Sequence, residues 1–462
     1  MKTFQRYWIV FGLLAALIVL TGFVQSWSIA LSLLTVGLIS AIITLGLNMQ
    51  WGYAGLFNAG VMGFSAIGAL ACVLISMPWV TAAMLQTLDV MLADPATNAT
   101  AIEKLQKDIP RRFLAEGQML AAWLIGAASA LVAWGANRVL RDRLPGGRRL
   151  LISLVILGIG LVMFTSRFDA ATSVIESTGF ADNSKYMGGL GLPILLAWIV
   201  GGFLAAGAAW LIARIALGLR SDYLAIATLG ISEIVISVLK NEGWLSRGVL
   251  NVTGLPSPIP TATALQEVPY EMARDASLIV NKLLFIAIIM VFLVFFLWLA
   301  HRALQSPWGR MMRAIRDNEE AANAMGKDVV KRHREVFILG SFLLGVGGAM
   351  LATNVLQFEP GGYQPLRYTF LIWVMVIVGG SGNNLGSVVG GILIWFVWIQ
   401  AEPIATGLFA LLSAGLLPDG SELAQTLLDR APQMRTLIMG VMLLVVLRLT
   451  PRGILPEELQ RK

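Results

Sequence analysis

The sequence is poor in cysteine, histidine and charge. Its single cysteine, Cys72, excludes a disulfide within the chain. The two histidines, His301 and His333, lack cysteine or acidic partners at the spacing of metal ligands, so we expect no metal site. Lys, Arg, Asp and Glu make up 13% of the residues, about half of their usual share of roughly 25% in soluble domains. This composition favours a protein whose main solvent is lipid.

The motifs of an enzyme are also missing. No Gly-x-x-x-x-Gly-Lys-Ser/Thr sequence is present to hold the phosphates of a nucleotide. Neither histidine pairs with a plausible nucleophile, and Glu233 is the one acidic residue inside a predicted span. Intramembrane enzymes and proton-coupled transporters need several such groups within their spans. We therefore expect no catalytic residues, no cofactor on this chain and no nucleic-acid partner.

Apolar segments of membrane-spanning length recur along the whole chain. A helical span needs roughly 20 mostly apolar residues, and no large soluble domain remains between the candidates. The first segment resembles a signal peptide, but no small-residue cleavage site follows, so we interpret it as a retained helix. The prediction is an all-α polytopic membrane protein, with roughly 10–12 transmembrane helices in one bundle over residues 1–462. The candidate spans are 8–24, 27–48, 56–76, 119–137, 150–164, 192–213, 223–239, 282–300, 336–357, 368–380, 385–401 and 433–448.

The distribution of basic residues predicts an orientation. With the N-terminus in the cytoplasm and alternating spans, 21 of the 34 Lys and Arg residues fall in inside segments. This excess agrees with the positive-inside rule and places both termini in the cytoplasm. The same alternation places residues 77–118 outside, as an extramembrane insert with some helix. Residues 301–335 form a long basic loop inside.

Two features inside the predicted bundle are candidates for a transport pathway. Glu233 lies in an apolar span, where an ionisable residue marks either a functional site or a structural carboxylate that contacts a neighbouring helix. The glycine-rich run at 379–386 separates two apolar segments. It indicates either a tight turn between helices or a functional bend that lines a pathway, since irregular backbone at membrane depth is tolerated beside protein or a cavity.

The loop 301–335 predicts two short helices. Arg310, Arg313 and Arg316 share one helical face, a pattern typical of a helix on the inner membrane surface. The next helix has Asp317 as its expected cap, with Glu320 completing a capping-box-like arrangement. Gly326 is placed to end this helix. Its small residues Ala321, Ala322 and Ala324 are expected to be exposed, so that the helix can enter a groove on another protein.

Four stretches of the chain resemble a known family. They are LGLNMQWGYAGLFNAG at 45–60, SDYLAIATLG at 221–230, the loop at 306–334 and the glycine-rich segment at 379–391. Within the loop, EAANAMG at 320–326 is similar to the segment through which permeases of ATP-binding-cassette (ABC) importers contact their ATPase. The four stretches together resemble the branched-chain amino acid permease family of LivM type, over residues 45–455.

The resemblance implies a function and partners. The chain would be the permease subunit of an ATP-driven importer for leucine, isoleucine and valine, or for a related small amino acid or amide. It would lie in the bacterial inner membrane with cytoplasmic ABC ATPase subunits, a second permease subunit and a periplasmic solute-binding protein, and ATP would bind on the partners. A stand-alone channel or facilitator for a small polar solute is the alternative. The implied coupling residues are Asp317, Glu320, Ala321, Ala322 and Gly326, and the pathway candidates are Glu233, Asn58, Gly379, Gly382 and Asn383.

Overall fold

A computed structural model shows an almost entirely helical chain. Glycine and small residues bring its central helices close together, while long apolar side chains cover its outer surface. The structure describes residues 3–77, 88, 92, 95–140, 145–177, 189–218, 221–242, 248–267, 270, 272–416, 425–426 and 429–457.

Fourteen α-helices have described bounds, and short irregular segments join them. A π-helix (Asn48–Tyr53) follows the second helix. Two-residue strands β1 (Val252–Thr253) and β2 (Gln357–Phe358) pair in antiparallel register, with Val252 opposite Phe358. The helices are α1 Thr3–Val24, α2 Trp27–Leu47, α3 Val61–Ser76, α4 Pro95–Val139, α5 Gly146–Ser177, α6 Ile194–Ala216, α7 Ser221–Asn241, α8 Arg274–Gln305, α9 Pro307–Asp317, α10 Glu319–Ala324, α11 Val329–Val355, α12 Pro365–Gly379, α13 Asn384–Leu416 and α14 Met434–Leu449.

The predicted fold class is confirmed. Within the described residues, 10 helices are long and apolar enough to cross a membrane, and α3 and α12 are shorter apolar helices. The expected short span at 150–164 is wrong in its length, because α5 has 32 residues. Charged residues at both ends of that apolar run interrupt the hydropathy signal but not the helix. Of the insert predicted at 77–118, residues 95–118 form the first part of α4, and most of 78–94 lies outside the described residues.

The core of the bundle is formed by α2, α3 and α11. Both α2 and α11 are mostly buried, whereas α1, α4, α5 and α14 are mostly exposed. A helix that is apolar on every face has to be buried by other helices or by lipid. A Cβ added to Gly68 on α3 would lie 1.9 Å from the carbonyl oxygen of Gly345 on α11. These two backbones therefore pack more closely than any larger residue would allow.

The bundle has two distinguishable ends. At one end, the backbone N–H of Leu455 donates to the Gly379 carbonyl oxygen at 2.9 Å, and the side chain of Asn383 contacts Tyr7 and Pro456. We call this the coupling end because α9 and α10, which contain the expected coupling residues, also lie there. The β1–β2 ribbon lies at the opposite end, which we call the far end. Segments near both chain termini thus meet at the coupling end.

Candidate functional site

The predicted pair of short helices is present at the coupling end. Helix α9 is amphipathic, with Met312 and Ile315 buried and Arg310 exposed. The expected cap of α10 is wrong: Asp317 is the last residue of α9, and the side chain of Asn318 accepts a hydrogen bond from the Ala321 N–H at 2.9 Å. Asn318 has extended backbone (φ −157°), as an N-cap requires, so the two helices meet at this single residue.

The exposed surface of α10 differs from the prediction at one residue. Ala322 is buried and belongs to the hydrophobic core, because it faces the body of the protein rather than solvent. Ala321 and Ala324 are exposed as expected, and Met325 is 80% exposed. Gly326 follows with φ +75° and ends the helix, as predicted. The result is a six-residue helix attached through Ala322, with a small-residue surface and one exposed apolar side chain.

Glu320 and Glu319 are the acidic residues in the first turn of α10. Carboxylates at this position interact favourably with the positive end of the helix dipole. Glu320 is exposed, and its carboxylate accepts no hydrogen bond among the described residues. Its expected part in a capping box is therefore not observed, because Asn318 supplies the cap.

Arg316 joins α9 to the transmembrane bundle. Its guanidinium donates to the Gly52 carbonyl oxygen in the π-helix and forms an ion pair with Glu457 at 2.9 Å. It also contacts Asp317 at 3.2 Å. Partial burial disfavours the charged guanidinium, but Glu457 and Asp317 outweigh this effect and raise the pKa of Arg316. A permanently charged side chain thus connects the end of α9 to the π-helix and to the C-terminal segment.

A group of buried polar side chains lies inside the bundle, next to the π-helix that Arg316 contacts. Asn48, Gln50 and Asn58 are each fully buried, and we call these three residues the polar junction. The Asn58 side-chain amide donates to the Gln50 side-chain oxygen at 2.8 Å. Gln50 in turn donates to the Phe337 carbonyl oxygen at 2.9 Å and to the Ser341 hydroxyl at 3.1 Å. These bonds hold α2 and the π-helix against α11.

The polar junction also contacts α12 and the α12–α13 turn. The indole N–H of Trp373 donates to the Asn58 carbonyl oxygen at 3.0 Å. The Gly382 N–H donates to the Asn48 side-chain oxygen at 2.8 Å. Two predicted pathway residues therefore each bond to a residue of the polar junction or belong to it: Asn58 bonds to Gln50, and Gly382 bonds to Asn48. Irregular backbone is tolerated here because its polar groups are satisfied by neighbouring protein.

The glycine-rich run forms the turn between α12 and α13. Gly379 is the last residue of α12, and a Cβ there would lie 2.0 Å from the Gly386 carbonyl oxygen. Gly382 has φ +79°, a conformation that favours glycine. The Asn383 side-chain oxygen accepts from the backbone N–H groups of Leu385 and Gly386 at 3.0 and 3.2 Å, which caps α13. The run therefore forms a turn between two helices, and its part in a pathway stays a prediction.

Glu233 lies apart from the polar junction. It is exposed on α7, near the middle of that helix. On the same helix, Thr228 faces inwards, and its hydroxyl accepts from the Ala59 N–H at 3.0 Å. The structure therefore separates Glu233 from Asn58, Gly382 and Asn383, and its role in a pathway stays a prediction.

Sequence reasoning missed Asn48, Gln50 and the Arg316–Glu457 pair as site residues. Asn48 and Gln50 are amide side chains directly after a 21-residue apolar helix, and this contrast is a signal in the sequence. Their partners are not, because Phe337 and Gly382 lie about 290 and 330 positions away. Glu457 near the C-terminus carries no motif that would connect it to Arg316.

Comparison with known proteins identifies the family of the chain. A family model described as "Branched-chain amino acid transport system / permease component" matches residues 147–447. A probable branched-chain amino acid transport permease protein LivM of Methanocaldococcus jannaschii is 26% identical over 289 residues, covering 62% of this chain and 74% of the relative. The high-affinity branched-chain amino acid transport system permease proteins LivM of Escherichia coli and Salmonella typhimurium are 26% and 25% identical over 256 residues.

The two bacterial matches cover 52% of this chain and 59% of each relative, so the similarity spans less than two thirds of those proteins. No solved structure is significantly similar to the chain. The family match nevertheless extends over more than half of the sequence and contains α9, α10 and the α12–α13 turn. The chain therefore belongs to the family of branched-chain amino acid transport system permease components.

Proposed function

We propose that the chain is the permease subunit of an ATP-driven importer in the bacterial inner membrane. Its solute would be leucine, isoleucine, valine or a related small amino acid or amide. The family and the names of the relatives support this solute class. The partners would be cytoplasmic ABC ATPase subunits, a second permease subunit (a paralogue or another copy) and a periplasmic solute-binding protein. ATP would bind on the ATPase subunits.

The observation that carries this proposal is the connection between α10 and the polar junction. Helix α10 exposes Ala321, Ala324 and Met325 on the surface, and Asn318 alone separates it from α9. Arg316, two residues before Asn318, contacts the π-helix that holds Gln50. A rigid displacement of α9 and α10 would therefore act directly on the buried network. Closure of the ATPase dimer would favour one of two packings of the helices, which is a population shift.

The basic residues at the coupling end support the proposed orientation. Four arginines lie at the coupling end in and beside α9 and in the C-terminal segment: Arg310, Arg313, Arg316 and Arg452. The positive-inside rule places such a surface in the cytoplasm. The far end, with the β1–β2 ribbon, would then face the periplasm and the solute-binding protein.

A substitution at Met325 tests the proposed contact with the ATPase. Met325→Glu adds a charge to the exposed surface of α10 and leaves the buried Ala322 in place. Loss of an apolar anchor in an interface costs about 2 kcal/mol or more, about 30-fold in affinity. We expect the variant to insert normally, to retain about 30-fold less ATPase during purification and to lose ATP-dependent leucine uptake.

Val249→Glu is the matched control. Val249 is 79% exposed, almost the same fraction as Met325, but it lies beside β1 at the far end. This variant should retain the ATPase at the wild-type level. Normal ATPase retention by Met325→Glu would contradict the proposed docking surface. Passive leucine flux through the purified chain, unchanged in both variants, would instead support the stand-alone channel.

A further inference from the structure

A cavity of about 310 Å³ opens in the far-end half of the bundle. It lies between α2, the last turn of α11, the segment after β2, and α12, with one wall from α13. Glu359 lines it and is exposed, so the cavity reaches the surface at the far end. Its volume is at the lower limit of small-molecule pockets, which is roughly 300 Å³. The cavity is thus large enough for one small solute.

The lining changes from polar to apolar with depth. Asn354, Gln357 and Glu359 line the cavity near the far end. Ile43 and Met375 line it deeper in the bundle, where the neighbouring wall residues are also aliphatic. Among the described lining residues, Glu359 is the only acidic side chain, and no Lys or Arg accompanies it. Such a surface suits a solute with an apolar body at the inner end and a cationic group at the mouth.

A hydrogen-bond donor in the wall remains without a partner. Trp395 lines the cavity, and its indole N–H is buried with no acceptor among the described residues. A buried donor without an acceptor carries a free-energy cost. The cavity therefore offers a carboxylate at its mouth, and one of its wall residues has a buried donor without an acceptor.

The cavity and the polar junction lie in series along the bundle. Met375 at the deep end is two residues from Trp373, whose indole N–H binds the Asn58 carbonyl oxygen. Met62, also in the lining, is two residues beyond Gly60, whose N–H binds the Asn58 side-chain oxygen at 2.8 Å. A solute in the cavity would therefore lie next to the residues that bond to Asn58.

We propose that this cavity is a solute-binding chamber of the permease chain itself. It takes a small solute with an apolar side chain at Ile43, Met62 and Met375 and a protonated amino group at Glu359. The inference rests on the proposed function for its direction, from the periplasm towards the cytoplasm. The permease would then select its solute a second time, after the solute-binding protein.

Cysteine protection tests the chamber. Ser40→Cys places a thiol of nearly the same size in the cavity wall. Ser65 is equally buried on α3, does not line the cavity and donates to the Leu344 carbonyl oxygen at 3.2 Å, so Ser65→Cys is the control. The native thiol of Cys72 is fully buried and gives little background. The full-length chain in lipid nanodiscs is treated with a membrane-impermeant methanethiosulfonate, with or without a competing solute.

We expect labelling of Ser40→Cys but not of Ser65→Cys, and protection of Ser40→Cys by leucine. Neither 4-methylpentanoate, which lacks the amino group, nor glutamate, which lacks the apolar side chain, should protect. Adding Glu359→Gln should raise the leucine concentration for half-protection about tenfold, since a charge-assisted contact is lost. Glu267→Gln, an exposed carboxylate that does not line the cavity, should leave it unchanged.

Two results would overturn the chamber: no labelling of Ser40→Cys, or labelling that leucine does not slow. Leucine uptake by the wild-type transporter is measured in parallel. If that uptake is present and protection is absent, the chamber is wrong and the proposed function stands. If leucine is not transported but does protect, the proposed direction of transport fails and the binding site remains.

Discussion

Gln50 provides the sharpest test of the polar junction. Gln50→Leu keeps a similar volume and removes three hydrogen bonds, to Phe337, Ser341 and Asn58. Each such bond contributes about 0.5–1.5 kcal/mol, so the closed packing should lose about 2–4 kcal/mol. If the junction closes the pathway, this loss shifts the balance towards an open state by about 30-fold or more. We expect leucine to leak through the assembled transporter in proteoliposomes without ATP.

Thr353→Val separates closure of the pathway from general stability. The Thr353 hydroxyl is also buried and makes three contacts: it accepts from the Trp198 indole N–H at 2.9 Å, donates to the Ala349 carbonyl oxygen at 2.9 Å and lies 3.7 Å from the Cys72 sulfur. Thr353→Val should lower the thermal stability in detergent about as much as Gln50→Leu does, but it should cause no leucine leak. If both variants are destabilised equally and neither liposome preparation leaks leucine, the polar junction does not close the pathway.

Three further substitutions test other parts of the account. Arg316→Ala removes the connection between α9 and the π-helix, so ATP hydrolysis should continue while leucine uptake falls at least tenfold. Arg310→Ala, on the exposed face of α9, should leave both ATP hydrolysis and leucine uptake near normal. Gly382→Ala forces a side chain into φ +79° beside Glu457, so it should lower the free energy of unfolding by about 1–2 kcal/mol and lower the melting temperature. Gly407→Ala adds a methyl group in open space and should leave the melting temperature unchanged. Glu233→Gln should reduce uptake at normal membrane levels if this exposed carboxylate takes part in transport, and unchanged uptake would assign it a structural role.

The helical bundle was predictable because its signal is local. Each span is a continuous apolar run, and lipid leaves the backbone few alternatives to a helix. The length of α5 was not predictable in the same way. Its charged first turn and its later residues such as Asp169 end the apolar run, but the helix continues for 32 residues. Hydropathy records where lipid is favoured, and helices extend beyond that region.

The coupling segment was predictable as a pattern and less so in its details. The amphipathic character of α9 and the helix-ending Gly326 follow from spacing and residue type. The cap at Asn318 instead of Asp317 depends on where α9 ends, and a shift of one residue is beyond a sequence pattern. The burial of Ala322 depends on how α10 rests on the rest of the chain, which no local rule contains.

The polar junction depends on long-range contacts. Asn58 and Gly382 were candidates on separate grounds, and nothing in the sequence indicated that Gln50 would bond to Asn58 or that Asn48 would bond to Gly382. Amide side chains satisfy one another through geometry that only the folded bundle provides. The same holds for the far-end cavity, whose walls come from several helices separated by hundreds of residues.

Energised transport of leucine in a reconstituted system is the decisive assay for the proposed importer function. The chain is purified with the proposed ATPase, second permease subunit and solute-binding protein, and radiolabelled leucine is measured inside proteoliposomes. We expect leucine to accumulate above the external concentration only when ATP and the solute-binding protein are both present. Met325→Glu should lose that accumulation. Equilibration of leucine by this chain alone, without ATP and without partners, would contradict it.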